Sequence, residues 1–255
     1  MIRFAASMLI ALAFAAGGCE RKPAASSGDS DSAFRVALVL PGSDTDNGWN
    51  QLAAEGLKRI KDELGVAVTL VTNVPSNEMA GRVGYLAGEG IDLVLCHGYE
   101  FENVVRPLVG RYPNTRFVVM GCPNDIPGAV SIEYQAADAC DLVGHLAAMV
   151  SRSGAIAFVG AQDVPTLRAC YEGMKSGMQA AQRPVRILDP LWTNDWTDIG
   201  KAKRKTEDAI AAGADVIFQN TNAAFVGVFQ TARAANRPDR PIYVFGCNGN
   251  QNDHP

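Results

Sequence analysis

The sequence predicts an α/β protein of two lobes, each a parallel sheet flanked by helices. Short β-branched runs alternate with longer amphipathic stretches from Phe34 onward, which is the grammar of βαβ units. After Ser151-Arg152-Ser153-Gly154 the same grammar starts again, so two units follow one another with a cleft expected between them. A chain of 255 residues with 47% apolar content is long enough to fill both cores.

In the first half, strands are expected at 34–40 (FRVALVL), 66–71 (VAVTLV), 91–96 (IDLVLC), 116–120 (RFVVM) and 129–132 (AVSI), each a brief apolar run. The stretches 49–64, 77–88, 100–111 and 135–151 carry helical spacing of apolar residues. In the second half, strands are expected at 155–159, 185–191, 215–219 and 242–245, with helices at 166–181, 198–212 and 224–236. Gly81, Gly84 and Gly88 fall inside a helical pattern and are read as close-packing positions rather than a dinucleotide loop.

The first residues read as an export signal: Arg3 is the positive start, Phe4 to Ala16 the apolar stretch, and Gly17-Gly18-Cys19 a small-residue cleavage site. The apolar stretch is shorter than the roughly 20 residues that a spanning helix needs. Cys19 directly after the small residues is the predicted lipidation point, with plain secretion as the alternative. The following ERKPAASSGDSDS has the composition of a flexible tether. The expected organisation is a signal over 1–18, a lipid-anchored tether over 19–33, a first lobe over 34–133, and a second lobe with its connecting helix over 134–255. The chain stops straight after a strand and its loop, so the second lobe is expected to be incomplete and the sequence a fragment. The remaining cysteines, Cys96, Cys122, Cys140, Cys170 and Cys247, have no C-x-x-C spacing and are read mostly as buried free thiols.

A net charge of −4 spread along the sequence gives no electrostatic footprint for nucleic acid. The partner is expected to be a small molecule or another protein, and the chain a monomer. Since crevices in open α/β sheets lie outside the carboxyl ends of the strands, the post-strand loops are the place to look. The first loop, 41–50, offers Asp44, Asp46, Asn47, Trp49 and Asn50 before a helix begins. Trp192 and Trp196 sit on a loop of the second half, so all three tryptophans fall on strand-end loops split between the lobes. Facing aromatic planes make a stacking sandwich for a flat heterocycle; packing within a lobe is the alternative for each. Asp46, Asn50, Asp198, Asn222 and Asn248 lie at strand ends or helix starts and can pair with a polar ligand. Helix capping competes with that role, at Asp198 above all, and at Asn47. Gly98 and Tyr99 end the third strand, where a glycine lets backbone amides approach a ligand. His97 and Glu100 lack any metal-ligand spacing, and no catalytic motif or cofactor fingerprint occurs. No metal, no cofactor and no enzymatic activity are therefore expected.

These loops resemble the basic membrane lipoprotein family, the nucleoside-binding branch of the periplasmic binding proteins. The resemblance is carried by Asp46-Asn47-Gly48-Trp49-Asn50-Gln51 with Glu55-Gly56-Leu57, then Gly98-Tyr99-Glu100-Phe101, Phe158-Val159-Gly160, Asp195-Trp196 with Asp198, and Gly213-Ala214-Asp215-Val216-Ile217. It implies a type I periplasmic-binding-protein fold and an ABC importer's lipid-anchored binding subunit in the cell envelope, with a nucleoside ligand and a permease partner. It also implies that Asp46 and Asn47 contact the base or ribose, that Trp49 replaces a stacking Phe, and that Trp196 lines the pocket. Asn248 stands where the family has an Asp that holds ribose hydroxyls. Asn220-Thr221-Asn222 replaces a Gly-rich stretch. Two rivals remain: a sensor lipoprotein that presents its ligand state to a membrane receptor, and a nucleoside hydrolase using Asp44 and Asp46.

Overall fold

The computed structural model describes residues 33–252. The expected signal, Cys19 and the tether up to residue 32 lie outside the described residues, as does His254. The first half runs β1 (Arg35–Val39), α1 (Trp49–Leu64), β2 (Ala67–Val71), α2 (Met79–Gly88), β3 (Leu93–His97), α3 (Glu102–Val105), β4 (Arg116–Met120) and β5 (Val130–Ile132). These strands form one parallel sheet in the order β2-β1-β3-β4-β5. Alternation along β1 explains the layering. Val36, Leu38 and Leu40 pack with Leu57 of α1, whereas Ala37 and Val39 face Val83 and Leu86 of α2 and Val105 of α3. Helix α1 spans the predicted residues, and it stops at Gly65, whose φ of 66° lets its N–H reach the Lys61 carbonyl.

The second half runs α4 (Ala136–Val150), β6 (Ala155–Gly160), α5 (Pro165–Ala180), β7 (Arg186–Ile187), β8 (Leu191–Trp192), α6 (Ile199–Ala211), β9 (Val216–Asn220), α7 (Phe225–Ala235) and β10 (Tyr243–Phe245). Its parallel sheet has the order β10-β9-β6-β7, and β8 also pairs with β6. Ile156 and Phe158 face α4 and α5, while Ala157 and Val159 face α6 and α7. The Ser151–Gly154 turn is pinned to the start of β9. Asp215 accepts from Ser151 Oγ at 2.6 Å and from the Arg152 and Ser153 amides at 2.7 and 2.8 Å.

Three expectations need correction. The helix expected at 100–111 is only a 3-10 turn, Tyr99–Phe101, and the short α3. Pro107 has no N–H to continue the ladder. The strand expected at 185–191 is two two-residue strands, broken around Pro190, which cannot donate to the sheet. The glycines of α2 lie in the helix as expected but are not close-packing positions: a Cβ at Gly81 would meet nothing within 4 Å, and at Gly84 its nearest neighbours are 3.8 Å away. The close approach lies elsewhere. A Cβ on Gly144, Gly173 or Gly177 would come within 2.1, 2.3 and 1.8 Å of backbone oxygens across the α4–α5 contact. The thiol expectation holds, since Cys96, Cys122, Cys140 and Cys170 are buried and free, and Cys247 is partly buried.

In both sheets the strand order reverses beside a central strand, between β1 and β3 and between β6 and β9. Crevices form at such points, outside the carboxyl ends of the strands.

Candidate functional site

The loop from β1 to α1 is organised by Asp46, which is only 8% exposed. Its Oδ1 accepts from the Gly48 and Gln51 amides, both at 3.0 Å. Its Oδ2 accepts from the Asn50 amide at 3.1 Å, Asn50 Nδ2 at 2.8 Å and Asn222 Nδ2 at 2.9 Å. Burial raises the carboxyl, but the hydrogen bonds from Asn222, Gln51 and Asn50 outweigh it and hold Asp46 below the usual carboxylate range. Both its oxygens are occupied by the chain's own donors. Asn47, exposed with φ 52°, gives its amide to Gln51 Oε1 at 3.1 Å.

Helix α1 begins at Trp49, and its N-cap is Gly48, which offers no side-chain cap. The missing acceptor comes from the other sheet: Trp49 N–H donates to Asn222 Oδ1 at 3.0 Å. The Trp49 indole stacks on His97, with centroids 4.2 Å apart and 25° between planes, and meets the edge of Tyr134 at 5.3 Å. His97 Nε2 lies 3.0 Å from the Trp49 carbonyl, so that nitrogen carries the proton and donates. Burial pulls the imidazole down to about 4, leaving it neutral at pH 7. His97 Nδ1 and Asn50 Oδ1 are then two buried acceptors with no partner among the described residues.

Two glycines lie at the strand ends beside these rings. Gly121, with φ 75°, ends β4, and a Cβ there would lie 3.7 Å from Trp49 Cζ2. Gly98 has φ 135°, a conformation that other residues rarely adopt, and the space beside it is taken by the Glu100 carboxylate, which burial raises. Tyr99 is exposed next to it.

The second sheet supplies Asn222, in left-handed backbone with φ 48° just beyond β9. It is held from behind. Fully buried Gln219 accepts the Thr221 amide at 3.0 Å and the Thr221 hydroxyl at 2.8 Å, and donates to Gln251 Oε1 at 2.9 Å. Gln251 also accepts the Cys247 amide at 3.2 Å, which folds the 246–251 loop, with Asn248 at φ 62°, over the end of β9. Asp198 is the N-cap of α6 and accepts from the Lys201 amide at 2.9 Å. Trp196 packs on the second core, and its carbonyl accepts from Ala224 N–H at 3.1 Å. Trp192 lies edge-on to Phe158 at 5.6 Å, above Gly160, as part of that core. The structure thus brings Asp46, Trp49, Asn50 and Asn222 together. Trp49's ring partners are His97 and Tyr134, not the tryptophans of the second half.

The family described as ABC transporter substrate-binding protein PnrA-like matches this chain over residues 33–254. The chain belongs to that family. Among PnrA-like relatives, Basic membrane protein A1 of Borrelia garinii subsp. bavariensis is 22% identical over 221 residues, covering 85% of this chain and 64% of that protein. The purine-binding protein BAB2_0673 of Brucella abortus is 24% identical over 218 residues, covering 84% of this chain and 59% of that protein. The chain therefore spans less than two thirds of these relatives' length. A solved ABC transporter solute-binding protein from Aeropyrum pernix superimposes with a TM-score of 0.73 at 22% identity, over 84% of this chain and 61% of that one. This is the type I periplasmic-binding fold that the sequence predicts.

Within this PnrA-like chain, sequence reasoning missed the buried Gln219–Thr221–Gln251 network and the stacking role of His97. Both had a signal: a glutamine and a histidine at the ends of otherwise apolar strands. No group of three His, Cys, Asp or Glu among the described residues could hold a metal. No described helix is long and apolar enough to cross a membrane.

Proposed function

We propose that the chain is the binding subunit of an ABC importer, capturing a neutral nucleoside-like ligand between its two sheets and handing it to a membrane permease. The reading includes lipid attachment through Cys19 in the cell envelope, a monomeric state, and binding without chemical turnover.

The observation that carries the reading is the setting of Trp49. One face of its indole is taken by His97, and its edge atoms Cζ2 and Cη2 approach Gly121 just beyond β4. The face turned away from His97 is the one on which a flat heterocycle would stack, worth about 1–3 kcal/mol per base. The Brucella relative's name, a purine-binding protein, supports the same ligand class. In this reading Trp49, Tyr99 and Gly98 form the wall and floor on one side. Asn47, Trp196, Asp198 and Asn248 supply aromatic and polar contacts around the rest, and Asp46, Asn50 and Asn222 hold the frame.

Neutral ligands fit better than anions. The carboxylates here, Asp46 and Asp198, would repel an anion, and two unpaired buried atoms of the site, Asn50 Oδ1 and His97 Nδ1, are acceptors that suit N–H or O–H donors. Calorimetric titration with adenosine, guanosine, inosine, cytidine and ribose tests the reading. Binding of a nucleoside class at micromolar or tighter Kd is expected. Silence from all five in a folded protein removes the nucleoside assignment.

A further inference from the structure

We propose that Asn222 is an interlobe latch: a positioning residue that holds the cleft closed by capping helix α1 from the opposite lobe. The link from closure to affinity rests on the cleft being the ligand site proposed above.

A helix leaves its first amides without partners, and the usual remedy is a polar N-cap side chain. Here the N-cap is a glycine, and the acceptor arrives from a residue 173 positions away, Asn222, at 3.0 Å from the Trp49 amide. The other end of the same carboxamide donates to Asp46 Oδ2 at 2.9 Å. One amide thus uses its acceptor on a helix start and its donor on a carboxylate, and the second bond is charge-assisted. Aspartate lacks the donor for this arrangement, and glycine lacks both groups.

Gly48 shows that the fit is specific. Its φ of −158° and ψ of −127° lie outside the helical and extended regions. Space calls for glycine as well: a Cβ there would lie 2.6 Å from Asn222 Oδ1, across the cleft. The latch is also stiff in its own lobe. Asn222 follows Thr221, whose amide and hydroxyl are tied to fully buried Gln219, and its left-handed φ of 48° is one that asparagine tolerates.

Every atom of this bridge belongs to the chain, so its contribution to closure adds to whatever a ligand contributes. A protein whose binding-competent form is populated only fractionally loses apparent affinity by that fraction. Removing the latch therefore weakens binding by opening the cleft, although Asn222 is spent on protein contacts.

The test compares wild type, Asn222→Gly, Gly48→Ala and the double variant, with circular dichroism and thermal melting as fold controls. Asn222→Gly keeps the left-handed backbone while deleting the amide. Gly48→Ala expels the amide while leaving it in the chain. Small-angle scattering of ligand-free protein is expected to show each single variant more extended than wild type, with the double variant no more extended than either single one. With inosine as probe, Kd is expected to rise about tenfold to a hundredfold, mostly through faster dissociation. Scattering curves identical to wild type, or an expansion in the double variant equal to the sum of the singles, overturn the latch. If wild type fails to bind inosine, the affinity arm uses whichever of adenosine, guanosine and cytidine binds, silence from all removes the ligand assignment, and the scattering comparison still decides the latch.

Discussion

Trp49 lies on His97, ring over ring at 4.2 Å, and the imidazole is tied back to the carbonyl of the same tryptophan at 3.0 Å. The histidine therefore fixes both the plane and the backbone of the residue that opens α1. A planar ligand can use only the face of the indole turned away from His97.

Replacing Trp49 by Ala is expected to weaken nucleoside binding by about 1–3 kcal/mol, roughly fivefold to 150-fold, whereas Phe retains most of the affinity. Titration calorimetry of both variants checks this. Equal affinity in the Ala variant and wild type would remove Trp49 from the site.

His97 makes stability depend on pH in a defined window. Burial holds it at about 4 in the folded chain, below its ordinary 6.5, so the unfolded chain takes up the proton first as pH falls. The contribution is complete above about pH 6.5 and declines to a loss on the order of 3 kcal/mol near pH 4. Denaturant melts across that range should show this slope, and His97→Gln should flatten it. A slope unchanged in the variant would assign it to other groups.

Asp215 ties the turn between the sheets to β9 through Ser151 Oγ and two amides. Asp215→Ala leaves those donors unpaired and is expected to cost about 2–4 kcal/mol of stability. Nucleoside affinity should be unchanged, because the tie lies where β9 begins, at the amino-terminal end of the strands and away from the site at their carboxyl ends. Parallel melting and binding curves separate the two effects.

Helices α4 and α5 approach closely enough that a methyl group on Gly177 would overlap the Asp141 carbonyl at 1.8 Å. Gly177→Ala is expected to destabilise the fold by about 1–3 kcal/mol. Gly81→Ala, where nothing lies within 4 Å, is expected to be neutral or slightly stabilising. Thermal unfolding of the pair provides its own internal control.

The alternation of elements was legible because each strand is a short β-branched run and each long helix an amphipathic one; α1 was legible to the residue. Where proline interrupts, at Pro107 and Pro190, local pattern overstated the element, since one missing donor outweighs several favourable residues. The site was legible in part. Its loops, with Asp46, Trp49 and Asn50 on the first of them, follow from strand-end logic, and the resemblance points to Asp46 and Trp49 as well. The pairing of Asp46 with Asn222 was not legible, because it joins residues 176 apart and depends on how two sheets meet. Trp192 was misplaced for a similar reason: the neighbouring Gly160, one strand away, opens the space that draws its ring into the core.

The measurement closest to the central claim is calorimetric titration of the purified protein, freed of carried-over ligand by unfolding and refolding, with adenosine, guanosine, inosine, cytidine and ribose. The account predicts saturable binding of one nucleoside class at micromolar or tighter Kd, weakened in the Trp49→Ala variant. Absence of heat from all five ligands, with a cooperative melt proving the fold, would contradict it.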